Sequence, residues 1–235
     1  WILNGQKMFI TNGTIADFVV AIVRTAPGKG YKGMSCLVID KGTSGFSSRK
    51  LDKLGLYSSE TGELTFDNCL VPFENLLGEE GKGFYQIMWE LVSERILQAG
   101  TGIGRGKLAF DLALDYVQQR IQFGKPIANL QAIQHKFADM ATQLEATRQM
   151  TYYAAWLYDQ GHNPVKESSM ANIMAAQSSF SITDEALQMF GGYGYMMDNP
   201  IQRYWRDSRV SRITAGTDEI QKEIIAGQLF PKSPH

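Results

Sequence analysis

The chain has 235 residues, of which 44% are hydrophobic and 20% charged, and a formal net charge of −1. This composition describes a soluble globular protein, built as one large domain or two small ones. The nearly neutral charge indicates no nucleic-acid surface, and no apolar run reaches the length of a membrane span. Two cysteines and three scattered histidines argue against a disulfide scaffold and a histidine-based metal site.

Residues 1–77 have the pattern of short strands separated by turn residues. Asn4-Gly5 is a hairpin signal, and strands are predicted at residues 7–11, 18–23, 35–40 and 63–66. The run 18–23 is continuously apolar, as expected of a strand covered on both faces. The chain starts at Trp1, and its first five residues have the pattern of a strand entering a turn. We therefore expect that an N-terminal portion either has been removed or is simply not included in this sequence.

Helical periodicity begins near Gly81 and continues towards Arg120. A second long helix is predicted from about residue 130 to 159. Pro164 opens a third, which ends at Gly191-Gly192, and shorter helices are predicted at 199–205 and 217–229. A β-rich part followed by long helices predicts an α+β fold. We expect a partial β-barrel or sandwich in residues 1–77 and an antiparallel helical bundle in residues 78–235.

The glycine-rich segment 100–107 imitates two phosphate-binding motifs but fits neither. Gly106-Lys107 is followed by Leu108, so no hydroxyl is available for a magnesium ion. The dinucleotide fingerprint must follow a strand, whereas the residues before this segment are helical. We expect these glycines to allow close approach of a neighbouring helix.

The segment 206–221 combines a tight turn with a capped helix. Gly216 permits a sharp turn, and Thr217 is a suitable N-cap. Asp218 and Glu219 would then lie in the first helical turn, at the positive end of the helix dipole. The pattern indicates a binding surface for a polar or anionic group, and the alternative is an ordinary junction between a loop and a helix.

This segment resembles the C-terminal signature of the acyl-CoA dehydrogenase family, in which an Arg-Asp pair precedes Glu-Gly-Thr-Ser-Glu-Ile-Gln or a near variant. Three other segments resemble family motifs and occur in the family's order: 9–12, 120–131 and 188–195. Taken alone, the second resembles a salt-bridged helix end and the third a glycine C-cap. The resemblance covers essentially the whole chain. It implies the latter part of the family's middle β-domain in residues 1–77 and its C-terminal helical domain in residues 78–235.

The resemblance also implies an FAD cofactor. Residues 9–11 would flank the isoalloxazine ring, with a hydroxyl near N5. Residues 120–131 would reach the FAD of a neighbouring subunit, and residues 188–192 would lie along its adenosine side. The residues assigned to cofactor binding are Phe9, Ile10, Thr11, Arg120, Gln122, Phe123, Gln131, Gln188, Met189, Phe190, Gly191, Gly192, Thr217, Asp218 and Glu219.

One position departs from the common family pattern, because Ala215 stands where many members place the catalytic glutamate. The segment 91–97 resembles isovaleryl-CoA and long-chain acyl-CoA dehydrogenases, in which that glutamate has moved to this helix. Glu94 is therefore the candidate base. Its apolar neighbours should raise its pKa, and the alternative is a solvated Glu-Arg pair on a helix face. The residues assigned to the substrate are Val92, Ser93, Arg95, Ala215 and Gly216.

The resemblance implies FAD-dependent oxidation of an acyl-CoA thioester to its trans-2-enoyl-CoA. It further implies a homotetramer, reoxidation by an electron-transferring flavoprotein, and a bacterial cytoplasmic or mitochondrial matrix location. Two alternatives stay open: a non-catalytic helical bundle that oligomerises, and a flavin-binding homologue without dehydrogenase activity. Flavin colour in the purified protein would separate the first alternative from the enzyme.

Overall fold

The structure is a computed structural model that describes residues 1–230 of the chain. Its contacts divide the chain into two compact units, Trp1–Glu90 and Leu91–His235. The first unit is built on strands and the second on helices, as the α+β prediction requires. The predicted domain boundary between residues 77 and 78 stays a prediction.

The first unit contains two open antiparallel sheets. Their inner faces share one hydrophobic core that includes Leu37, Leu64 and Phe66. This arrangement confirms the predicted sandwich, and no strand of the described residues closes a barrel. The strand orders are β1-β5-β4 and β2-β3-β6, with β1 (Ile2–Thr11), β2 (Phe18–Arg24), β3 (Met34–Asp40), β4 (Phe46–Lys50), β5 (Thr61–Leu70) and β6 (Leu76–Leu77).

The hairpin predicted at Asn4-Gly5 is wrong, because β1 continues through both residues. The pairing of β1 with β5 instead shifts register between Leu3 and Gly5, where Gly5 has a φ of 146°. The Asn4 side chain accepts a hydrogen bond from the backbone N–H of Asn68 at 2.8 Å. A polar side chain that bonds the neighbouring strand thus marks a bulge here.

The expectation that both faces of the second strand are covered is also wrong within the first unit. Phe18 is 57% exposed and Val20 is 51% exposed, whereas Ala21 is buried. Successive side chains of a strand point to opposite faces, and only one face of β2 packs on the core. Val20 lies instead at an apolar cavity of about 770 Å³ with Tyr85 and Trp89.

The second unit contains the helical bundle, whose predicted helices are confirmed. Its core joins small residues of the first helix, such as Ala109 and Ala113, to Met140, Ile182 and Ile201. The helices are α1 (Gly83–Gln119, which starts in the first unit), α2 (Gln131–Asp159), α3 (Val165–Phe190), α4 (Ile201–Arg209) and α5 (Asp218–Leu229); strands β7 (Ile121–Gln122) and β8 (Lys125–Pro126) form a hairpin after α1.

The close helix approach predicted for segment 100–107 is found at two of its four glycines. A Cβ at Gly102 would lie 3.1 Å from the carbonyl oxygen of Ala175, and one at Gly106 would lie 3.3 Å from Leu144. No atom lies within 4 Å of a Cβ at Gly100 or Gly104. The two buried glycines are four residues apart, so they form one ridge of α1.

Candidate active site

The turn before α5 is held by contacts that start well upstream in the chain. The hydroxyl groups of Ser208 and Thr183 share a hydrogen bond of 2.8 Å in the interior, and Arg105 donates to Ser211 at 2.8 Å. Burial lowers the pKa of Arg105, and the nearby Asp207 carboxylate acts in the opposite direction. The segment therefore enters the turn in a defined position.

Two successive residues of this turn have positive φ: Ala215 at 55° and Gly216 at 102°. Their carbonyl oxygens point to donors inside the unit. The side-chain amide of Gln221 donates to the Ala215 oxygen at 2.7 Å and to the Gly216 oxygen at 3.2 Å. Arg95 also donates to the Ala215 oxygen, at 3.4 Å. We call residues 215 and 216 with these donors the clamped turn.

The start of α5 confirms the predicted cap and shows different roles for its two acidic residues. Thr217 accepts a hydrogen bond from the backbone N–H of Ile220 at 3.4 Å. Asp218 is only 4% exposed and accepts from Arg212 at 2.8 Å and from Gln177 at 3.1 Å. Although the resemblance assigns Asp218 to the cofactor, its carboxylate is used within the unit.

Glu219 is exposed, unlike Asp218. Its pKa is lowered, first by a hydrogen bond from its own backbone N–H and then by one from the Thr217 hydroxyl. Both interactions favour the anion. Glu219 is therefore a weaker base than an ordinary glutamate.

The candidate base lies on α1 next to a residue that contacts the clamped turn. Val92 and Arg95 are 1% and 5% exposed, whereas Ser93 and Glu94 are half-buried. Leu97, expected among the apolar neighbours of Glu94, is 70% exposed, so the apolar surroundings do not extend to that side. The hydrogen bond from Arg95 to Ala215 joins this part of α1 directly to the turn.

A groove in the helical unit brings together six of the residues assigned to FAD. Tyr116 stacks on Phe190 with ring centroids 4.2 Å apart, and the Arg120 guanidinium lies 5.5 Å from the centre of the Tyr193 ring. The groove has a volume of about 440 Å³, within the range of small-molecule pockets. We call it the aromatic groove; its lining is Tyr116, Arg120, Gln122, Ile127, Met189, Phe190, Gly191, Gly192, Tyr193 and Met196.

The glycines of the groove fit a ligand that approaches the backbone. Gly191 caps α3 with a φ of 58°, a conformation that glycine adopts readily. Gly192 needs no such conformation, and a Cβ there would meet no atom within 4 Å. Internal packing thus leaves open space at Gly192, as expected where a flat or charged group lies against the chain.

Three residues of the same two motifs, 120–131 and 188–195, are assigned to FAD but lie outside the groove lining: Phe123, Gln131 and Gln188. Phe123 is 87% exposed and has a φ of 53°, which is unusual for an aromatic residue. Gln131 is the exposed first residue of α2, and Gln188 is exposed near the end of α3. These side chains are available to a partner or ligand.

In the first unit, the assigned residues Phe9, Ile10 and Thr11 end β1. The register of β1 against β5 shifts between Lys7 and Ile10, and Phe9 has a φ of 61°. The bulge turns the Phe9 ring outwards, where it is 75% exposed. Phe9, Phe123 and Ala215 are three of the six non-glycine residues with positive φ among residues 1–230. Such conformations cluster at functional sites.

Sequence reasoning did not assign several residues of these sites, among them Tyr116, Tyr193 and Gln221. Tyr193 lies within the motif segment 188–195, and Tyr116 precedes Arg120, the residue after the end of α1, by four residues or about one helical turn. That spacing was a usable signal. Gln221 ends the C-terminal signature, but nothing in its local pattern shows that its amide folds back on the turn.

Within residues 1–230, no group of three His, Cys, Asp or Glu side chains could hold a metal ion. None of the helices described for that range has both the length and the apolar character needed to cross a membrane.

Comparison with known protein families agrees with the motifs. The family model "Acyl-CoA dehydrogenase, middle domain" matches residues 1–69, and "Acyl-CoA dehydrogenase, C-terminal domain" matches residues 81–230. The chain belongs to the acyl-CoA dehydrogenase family. The matches to these two family models confirm the resemblance inferred from the four sequence motifs.

Relatives within the acyl-CoA dehydrogenase family are similar over almost all of the chain. An acyl-CoA dehydrogenase of Bacillus subtilis is 47% identical over 98% of this chain and 61% of its own. An acryloyl-CoA reductase (NADH) of Anaerotignum propionicum is 47% identical over 99% of this chain and 59% of its own. The butyryl-CoA dehydrogenase structure from Megasphaera elsdenii has a TM-score of 0.94 at 40% identity, over 97% of this chain and 60% of its own. The chain thus spans about three-fifths of the length of these relatives.

Proposed function

We propose that the intact protein is an FAD-dependent acyl-CoA dehydrogenase, which introduces a trans double bond between C2 and C3 of an acyl-CoA thioester. The observation that carries this proposal is the link between Glu94 and the clamped turn. Arg95, the residue after Glu94, donates to the carbonyl oxygen of Ala215, the residue at the family's other glutamate position. This contact joins the neighbour of Glu94 to residue 215, so the two glutamate positions lie on segments that contact each other.

The residues present fit FAD. Arg120 supplies a cation suited to a pyrophosphate, and Gly192 leaves room for a group against the backbone. In the first unit, Phe9 offers an exposed aromatic face and Thr11 a hydroxyl. When bound, FAD supplies the two-electron acceptor that receives hydride from the β-carbon. Following the family pattern, the aromatic groove would hold the FAD of a neighbouring subunit.

Glu94 would remove the α-proton. Glu94 is half-buried on α1, beside the residue that contacts the clamped turn. Glu219 is less suited, because its pKa is lowered by its own backbone N–H and by Thr217. Glu219 would serve the cofactor instead, at the exposed start of α5.

The α-proton of a thioester is too weakly acidic for a carboxylate unless charge on the carbonyl oxygen is stabilised. Backbone N–H groups can do this, and those of Ala215 and Gly216 are our candidates. Within residues 1–230, neither of these groups donates to a protein acceptor. They are therefore available to a substrate carbonyl, and a main-chain donor does not depend on the side chain at residue 215.

Replacing Glu94 tests the reaction and the base together. The change Glu94→Gln keeps the shape and removes the base, so kcat should fall by about two to four orders of magnitude. Bound flavin should be retained. The matched control is Glu219→Gln, which should mainly weaken flavin retention. Near-normal turnover in Glu94→Gln would show that the base is elsewhere, and flavin that no acyl-CoA can reduce anaerobically would refute the reaction.

A relocation experiment sharpens the assignment. The double variant Glu94→Gly with Ala215→Glu should recover part of the activity lost in the single variant Glu94→Gly. Residue 215 already has a φ of 55° with a Cβ, so a longer side chain adds little backbone strain. No recovery in a correctly folded double variant would mean that the two positions do not face the same substrate carbon.

The name of one relative favours a second candidate. Acryloyl-CoA reductase denotes addition of hydrogen across the same bond, and that relative is as similar as the dehydrogenase. The protein would then work as an enoyl-CoA reductase with the same residues, Glu94 returning the α-proton. Comparing initial rates in the two directions, with a dye acceptor and with reduced flavin, distinguishes the two.

Assembly and partners follow the family pattern in this proposal. A homotetramer would bury exposed aromatic residues of α2, where Tyr152 and Trp156 are 60% and 54% exposed. An electron-transferring flavoprotein would reoxidise the enzyme. Sedimentation as a strict monomer at micromolar concentration would contradict the tetramer.

A further inference from the structure

We infer that Gln221 is a positioning residue, which aims the backbone N–H of Gly216, one of the two candidate donors, at the substrate carbonyl. This inference rests on the proposed function, because it assigns a task within the same site. It starts from the surroundings of one side chain. Gln221 is completely buried, and both of its hydrogen bonds go to the turn.

The chemistry of these contacts sets the orientation of the amide. Its nitrogen faces two carbonyl oxygens, Ala215 at 2.7 Å and Gly216 at 3.2 Å. A flipped amide would place its own oxygen against both of them, which is repulsive. The Gln221 oxygen meanwhile is buried and has no partner within residues 1–230. The site thus uses the side chain only as a double donor and leaves its acceptor unmatched, at a cost.

The two held carbonyls determine where the following N–H groups point. In a trans peptide the C=O and the next N–H lie in one plane and point in opposite directions. The Ala215 carbonyl shares a peptide with the N–H of Gly216, and the Gly216 carbonyl shares one with the N–H of Thr217. Because Gln221 draws both oxygens inwards, both N–H groups face away from Gln221. Of these two groups, the Gly216 N–H is one of the two donors proposed above for the substrate carbonyl.

Gly216 and Gln221 also fit each other sterically. A Cβ on Gly216 would lie 2.9 Å from the amide nitrogen of Gln221, and the φ of 102° disfavours any other residue. The turn therefore takes its shape from the space that Gln221 fills, as well as from its hydrogen bonds. Without Gln221, the Ala215 oxygen would keep only the longer bond from Arg95, and the Gly216 oxygen would lose its side-chain donor.

The test is the change Gln221→Met in the intact protein, which keeps the bulk and removes both donors. Charge on the carbonyl oxygen grows in the transition state, so misaligned donors should lower kcat by about 10- to 100-fold while KM changes little. The second readout is the infrared C=O stretch of bound crotonyl-CoA labelled with 13C at the thioester carbon. Wild type should lower this frequency relative to free ligand, and Gln221→Met should lose most of that shift while keeping its flavin.

The matched control is Gln143→Met on α2, because the Gln143 amide oxygen is also buried and unpartnered but lies on a different helix. It should leave the carbonyl frequency and kcat unchanged. A second variant, Gln221→Glu, covers the case in which Gln221→Met does not fold. The glutamate side chain keeps the shape of glutamine. While its carboxyl group is protonated, it offers one O–H donor in place of the two N–H donors of the amide. An intermediate carbonyl shift that disappears as pH rises is expected.

The outcomes separate this inference from the proposed function. A full carbonyl shift in Gln221→Met or in Gln221→Glu at every pH overturns the positioning role, even if the variant is less stable. Absence of any shift in wild type with bound ligand overturns it as well. If wild type shows a shift that depends on Gln221 but oxidises no acyl-CoA, the positioning role stands and the proposed reaction fails.

Discussion

The clamped turn and the aromatic groove lie in the same unit but differ in what completes them. In the turn, buried donors from the chain itself hold the carbonyls of Ala215 and Gly216. In the groove, Gly192 borders open space, and the nearby Phe123 is 87% exposed. The turn is therefore preorganised by the fold, whereas the groove presents surfaces that a cofactor or a neighbouring subunit would cover. Substitutions in the turn should lower the unfolding free energy and turnover together. Substitutions in the groove should weaken the binding of FAD or of a neighbouring subunit and leave the unfolding free energy almost unchanged.

The largest effect on stability is expected from Arg212→Met, which removes the charged partner of Asp218. The Asp218 side chain is 5% exposed and would keep only the neutral amide of Gln177. An almost buried carboxylate without its cation costs about 3 kcal/mol of unfolding free energy, somewhat reduced here because Arg212 itself is partly exposed. Urea unfolding at neutral pH measures the change.

Two controls accompany this measurement. Arg148→Met removes an exposed partner of Glu145 and should change the unfolding free energy much less, because solvent screens this pair. Adding Asp218→Asn to Arg212→Met removes the unpaired charge and should recover most of the stability. An equal loss in Arg148→Met and Arg212→Met would mean that burial of Asp218 is unimportant.

The second prediction compares one glycine from each region. Gly216→Ala should lower the unfolding free energy by about 2 kcal/mol, because an L residue is strained at this φ and its Cβ displaces Gln221. Turnover should fall with it. Gly192→Ala should change stability by less than about 0.5 kcal/mol but weaken FAD binding by about tenfold. Thermal unfolding and flavin titration measure the two quantities.

Gly104→Ala is the control for this pair. Gly104 is an exposed glycine within α1 and has no atom near its Cβ position, so alanine should add about 0.5–1 kcal/mol of stability. If Gly192→Ala leaves FAD affinity unchanged, the open space at Gly192 does not belong to the cofactor.

The third prediction concerns Thr217→Ala, at the edge of the turn, where the expected loss of stability is smaller than for Arg212→Met or Gly216→Ala. Loss of the N-cap should cost about 1 kcal/mol. The pKa of Glu219 should also rise towards its ordinary value, because the Thr217 hydroxyl no longer stabilises the anion. Folding lowers the pKa of Glu219, which means that the ionised carboxylate stabilises the folded state. This stabilisation is fully present above the pKa that Glu219 has in the unfolded chain. That contribution is lost as pH falls through the folded pKa.

Carboxyl NMR titration of Glu219 in wild type and Thr217→Ala measures this change directly. The stability difference between the two proteins should narrow at acidic pH, and the remainder is the contribution of the cap. An unchanged Glu219 pKa in the variant would show that its own backbone N–H accounts for the whole effect.

Much of this molecule follows from local pattern. Helix periodicity predicted α1, α2 and α3, and the Thr217 cap was evident from residue type. The motif residues Arg120, Gln122 and 189–192 line one groove in the structure, and their assignment to FAD stays a prediction. These features depend on neighbours a few residues apart or on motifs that occur in a fixed order.

The sequence by itself determined the family and the order of the elements, because both depend on residue type and spacing. The pairing of Glu94 with Ala215 is a prediction from the same kind of pattern. Only the tertiary structure decided which faces are covered and which polar groups meet. The apolar run of β2 has an exposed face, Asn4-Gly5 is a bulge, and Asp218 is held by Arg212. The amide of Gln221 meets the turn because α5 folds back on it. Burial and hydrogen bonding depend on packing between distant segments, which residue spacing does not encode.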